Sequence, residues 1–254
     1  MALQMSMVLF KALPTLSASA IQAALATHWP DLPAPADTTA RDNTLSFDLG
    51  EVGVVLGVMP APHPWSDLEG PCATSVLWPE AAVEVQAHQA HVIVTVRGEL
   101  DPIALTTALT KVTAAVMASS DLAIGVFWTN ATLLVPKALF HDFAVKVLPF
   151  GPPLHIWVDF RVGMIDADHS AAFTCGLAAL GLMELEARCA PEAPGDLRER
   201  LMAIAGYLIS EGPVIADGDT LGESEDEMLQ VIYSPSEFGI EGQVMRFVYA
   251  GEAV

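Results

Sequence analysis

Apolar and polar positions follow two different periods along this chain, and each change of period marks an element. Ser6–Leu13 is an apolar run stopped at Pro14, which predicts a first strand. Ser17 then offers an N-cap for a helix over Ala18–Trp29, where Ile21, Ala24 and Leu25 share one face. A loop rich in Pro, Ala and Asp follows to Asp42. Thr44–Leu49 and Val52–Met59 read as strands joined by the tight turn Gly50-Glu51. Pro60–Pro71 is dense in proline and predicts a structured loop around Trp65. Pro79–His88 predicts a helix with Pro in its first turn, and His91–Arg97 alternates as a strand. The succession strand, helix, two strands, helix, strand predicts a ferredoxin-like (split βαβ) unit with helices on one face.

Beyond it, Asp101-Pro102 caps a long Ala- and Thr-rich helix to Ser119, Leu122–Trp128 is a strand, and Pro136–Val147 is a helix. Pro149–Pro153 breaks the pattern. Leu154–Val162 predicts a strand, Ala171–Gly181 a short helix or packed turn, and Leu182–Arg188 a strand. Gly195–Ser210 follows as a helix; Val214-Ile215, Leu229–Tyr233 and Val244–Tyr249 are strands. The expectation is an α+β protein of two units, 1–150 ferredoxin-like with extra helices and 151–254 a second α+β unit with an acidic loop.

Composition sharpens this picture. A chain of 254 residues, 52% hydrophobic, can bury a substantial core. No apolar run reaches membrane-spanning length, and the first base, Lys11, follows rather than precedes the early apolar stretch, as it would not in a secretory signal. Three cysteines, Cys72, Cys175 and Cys189, suit a reducing compartment. A cytoplasmic location is expected. The formal charge of −20 argues against nucleic acid and anionic membranes as partners; solubility alone accounts for it first, and attraction of a basic protein partner is the second reading. The acids concentrate late: after Ala205, Arg246 is the only base. Glu223, Glu225, Asp226 and Glu227, together with Trp65, are the candidate partner-binding residues.

Candidate chemistry is sparse. Asp166, Asp168 and His169 form a compact polar group that can hold a metal or do acid–base work, and they are the candidate catalytic set; an Asp-rich turn with His169 near a helix start explains them better. Asp217-Gly-Asp-Thr-Leu-Gly222 resembles the start of a calcium loop, but Leu221 and Met228 stand where oxygen ligands belong. His88 and His91 flank a helix end without a completing ligand. Phosphate-cradling, dinucleotide and nucleophile-elbow motifs are absent, so no metal and no cofactor is expected.

Two stretches carry a family resemblance. One is Met59-Pro-Ala-Pro-His-Pro-Trp-Ser-Asp-Leu-Glu-Gly-Pro-Cys72 with Leu77-Trp-Pro-Glu-Ala81 and His88-Gln-Ala-His-Val-Ile-Val-Thr-Val96. The other is Gly176-Leu-Ala-Ala-Leu-Gly-Leu-Met-Glu-Leu-Glu186 with Asp217–Gly222 and Tyr233-Ser-Pro-Ser236. Together they resemble the bacterial family known as domain of unknown function 4261. The resemblance implies no catalytic residues. It implies a setting of toxin–immunity or secretion systems, which fits a non-enzymatic, immunity-type protein that neutralises a basic toxin. The alternatives are an enzyme built on the Asp166–His169 cluster and an assembly component of a larger machine.

Overall fold

The structure, a computed structural model, describes residues 2–222 and 229–249. It has the expected α+β class, with two sheets, and divides into one unit over Met1–Ile156 and another over Trp157–Val254.

The first unit runs β1 (Ala2–Phe10), α1 (Ala18–His28), β2 (Ala36–Arg41), β3 (Thr44–Leu49), β4 (Val52–Met59), α2 (Trp65–Ala73), α3 (Ala81–Gln86), β5 (Ala90–Gly98), α4 (Pro102–Ala118), β6 (Ala123–Trp128), β7 (Leu133–Pro136) and α5 (Lys137–Asp142). Its sheet has the order β2-β3-β4-β5-β1-β6-β7. Every pair is antiparallel. β5 and β6 therefore run parallel with β1 between them, and α4 is their crossover. β1 and β4 are related in the same way across β5. The ferredoxin-like core is thus β1-α1-β4-β5-α4-β6. It uses a later helix and strand than the sequence succession picks out, and β2, β3 and β7 widen the sheet.

The local causes are legible. Asp101 Oδ1 accepts from the amides of Ile103 (3.1 Å) and Ala104 (3.0 Å), with Pro102 preset for the first turn of α4. Ser17 Oγ caps α1 through the amide of Ala20. α4 packs against α1 and β1, where Ser6 and Thr113 share a buried hydrogen bond of 2.7 Å. The expectation of helices on one face is corrected: α2 and α3 lie on the opposite face. There Leu68, Cys72, Trp78, Ala81 and Val85 pack with Leu9, Ile124, Phe127 and Leu134. The proline-dense stretch hides α2 from periodicity, because Pro71 sits inside the helix.

The second unit runs α6 (Leu154–Trp157, at the division), β8 (Asp159–Met164), β9 (Ser170–Cys175), β10 (Leu185–Ala190), α7 (Pro194–Glu211), β11 (Thr220–Leu221), β12 (Leu229–Pro235) and β13 (Gln243–Val248). Its sheet has the order β11-β12-β13-β10-β9-β8, with β10 and β13 parallel. α7 buries Leu197, Leu201, Ala205 and Leu208 and packs against β8, β9 and β10. Two local expectations change. The stretch from Ala171 begins as strand β9, paired on both sides, and becomes a single 3₁₀ turn only at Ala178–Leu180. Leu154–Val162 is one helical turn followed by β8, not one strand.

Candidate functional site

Asp166, Asp168 and His169 meet at the exposed tip between β8 and β9. Asp166 Oδ1 accepts from the backbone amides of Asp168 and His169, both at 2.8 Å, and from His169 Nδ1 at 2.9 Å. The Asp168 amide is the largest cause holding the Asp166 carboxyl below its ordinary range, with the His169 side chain next. The carboxylate organises the turn. Asp217 and Asp219 behave alike: Asp217 Oδ1 accepts from the amide of Tyr233 (2.8 Å) and Asp219 Oδ2 from that of Ala216 (2.7 Å). The first bond ties the turn to β12 at Tyr233, and the second closes the turn on itself.

The densest polar chemistry lies in residues that sequence reasoning passed over. Glu186 on β10 has no exposed surface. Its carboxylate faces Arg246 of β13, with Nη2 at 3.0 Å and Nε at 3.1 Å, and also accepts from Ser236 Oγ at 2.7 Å and from the amide of Glu237. Arg246 donates onward to the Pro235 carbonyl and meets Glu237 at 3.3 Å. Glu184, also buried, accepts from Thr174 Oγ1 (2.7 Å) and from the amides of Gly176 (2.8 Å) and Ala178 (2.9 Å). It thereby fixes the loop after β9. Burial, the larger effect, raises the Asp159 carboxyl despite its bond to Arg161. The available signal was a pair of carboxylates inside the apolar run Leu182–Ala187 and a lone base inside Val244–Tyr249.

In the first unit, Trp65 opens α2 and packs against the cluster on that face. Beside it stand three histidines. His88 accepts from the amide of His63 at Nε2 (2.7 Å) and donates from Nδ1 to Val85, so its tautomer is fixed. His91 Nδ1 donates to the Ala61 carbonyl at 3.0 Å, and His63 Nε2 lies 3.2 Å from Asp67. Burial lowers the affinity of His63 and His91 for a proton. The arrangement ties the 60–67 segment to β5. Among the described residues, no three His, Cys, Asp or Glu side chains form a metal-binding group.

Charge is sorted by depth. Of the eleven Lys and Arg, only Lys11, Arg41, Arg97 and Lys146 are exposed. In the second unit Arg161, Arg188, Arg200 and Arg246 each pair with an acid of the same unit. Exposed acids occur throughout both units, among them Asp48, Glu51, Glu69, Glu99, Asp196, Glu199, Glu211 and Glu241. Glu223, Glu225, Asp226 and Glu227 lie outside the described residues.

Residues 173–248 match the family described as Domain of unknown function (DUF4261). Over these residues the chain is similar to that family. The match takes in the second of the two stretches that carry the resemblance, and the buried carboxylates Glu184 and Glu186 fall within it. No curated protein and no solved structure matches the chain. Among the described residues, no helix is long and apolar enough to cross a membrane.

Proposed function

We propose that this chain is a non-enzymatic binding protein for a basic protein partner, in its most concrete form an immunity-type protein that neutralises a toxin. One observation carries the reading: four of the second unit's five bases pair with acids of that unit, while many acids of both units stand exposed. Such a surface attracts a basic protein at long range and repels polyanions. Of the carboxylates singled out in the sequence, Asp166 and Asp217 accept from backbone amides and serve their turns. This supports binding over catalysis.

The test is capture of the partner on the full chain from cells of its source at low salt, followed by titration of the partner's own activity. The reading expects a captured protein with a basic contact face whose activity is lost at a one-to-one ratio. Turnover of a small molecule by the isolated chain, or a captured partner that is acidic where they meet, would contradict it. Reversing Glu223, Glu225, Asp226 and Glu227 to Lys is expected to slow association more than it speeds dissociation.

A further inference from the structure

Part of one face of the first unit's sheet is open among the described residues. α4 covers the face that carries Ser6, Val94 and Leu56. On the other face, α2 and α3 cover Leu9, Phe127 and Leu134. Toward β3 that face carries Leu3, Met5, Val55, Ile93 and Thr95 with no covering element among the described residues, Leu3 being 57% and Met5 37% exposed. Register makes this one surface. Val55, Thr95 and Met5 form a row across β4, β5 and β1, and Gly53, Arg97 and Leu3 form the next row. The two rows are about 7 Å apart, two residues along a strand.

The second row leads into a cavity of about 570 Å³ lined by Asp48, Glu51, Gly53, Arg97 and Glu99. The Arg97 side chain lies across Gly53, where a Cβ would come within 2.9 Å of its Nε. The guanidinium therefore rests on the sheet rather than filling the cavity. Three carboxylates against one guanidinium leave the cavity anionic.

Resting on the binding reading above, we propose that this face is the docking surface, and that its occupant is an amphipathic segment of a basic protein. Apolar side chains of the segment cover Leu3, Met5, Val55 and Ile93, and its Lys or Arg enters the cavity between Asp48, Glu51 and Glu99. Charge complementarity selects this occupant over a second copy, which would bring like charges together.

The experiment uses the full chain and, as probe, a helical peptide with lysine on one face and leucine on the other. Binding is measured by calorimetry, and the contact surface by amide hydrogen exchange. The triple variant Asp48→Lys, Glu51→Lys, Glu99→Lys is expected to weaken binding at least about tenfold. A control triple, Asp166→Lys, Asp168→Lys, Asp196→Lys, changes net charge equally and is expected to weaken it less than about threefold. Leu3→Ser with Met5→Ser, which leaves charge untouched, is also expected to weaken binding, and protection is expected on β1, β4 and β5. Equal weakening by the two triples, or protection confined to the second unit, would overturn the docking surface and leave the binding reading standing. No binding by the unaltered chain at low salt would likewise overturn the docking surface, the binding reading being decided by capture of the partner.

Discussion

Glu186 keeps a carboxylate where no water reaches it, and Arg246 makes this tolerable. A buried pair gains little over apolar residues of the same shape, but losing one partner strands the other. Arg246→Met is therefore expected to cost about 3–5 kcal/mol in urea unfolding, and Glu186→Leu with Arg246→Met to recover part of that loss. An Arg246→Met chain as stable as the parent would contradict the account of this network. The histidines set a pH dependence. His63 and His91 bind protons less readily in the fold than at the ordinary value of 6.5, chiefly through burial. As pH falls below 6.5 the unfolded chain takes up protons first, so their contribution is present above that value and lost below it. Asp159, raised above 3.8 by burial, acts in the opposite sense: its contribution is present at low pH and lost as pH rises through its folded value. Replacing His63 and His91 by Gln is expected to flatten the fall in stability between pH 6.5 and about 5, read from melting curves. An unchanged slope would mean that neither histidine is held neutral by its surroundings.

At the scale of elements, β6 shows how closely a helix pair can approach a sheet. Gly125 has no side chain because Trp78 occupies the space: a Cβ there would lie 2.4 Å from Trp78 Cζ3 and 2.6 Å from the Val135 carbonyl. Gly125→Ala is expected to cost about 1–3 kcal/mol and to shift tryptophan emission to longer wavelength as Trp78 is displaced. Unchanged emission and stability would show that the tryptophan has room to move. The strands with strong periodicity, such as Val52–Met59 and His91–Arg97, were readable because one face of each is buried by α4 and its neighbours. β2 was not readable, because all six of its residues are exposed and an edge strand leaves no hydrophobic pattern. Ala171–Gly181 reads as a helix or packed turn because β9 is buried between two strands, which erases alternation. The Glu186–Arg246 pair joins strands sixty residues apart, and only pairing of β10 with β13 brings its members together.

For the whole molecule, charge is the dominant fact. A formal −20 carried mainly at the surface makes the folded chain repel itself. Its Tm is expected to rise as salt is raised from about 10 to 150 mM, where screening shortens to about 8 Å. A flat or falling Tm would place the acids closer to compensating bases than the fold indicates. The same field is what a basic partner meets first. The most direct measurement of the binding account is therefore the association rate of the full chain with its captured partner, followed by stopped flow as salt is raised. The account predicts a steep fall in association rate with a much smaller change in dissociation rate. An association rate that is indifferent to salt would contradict it.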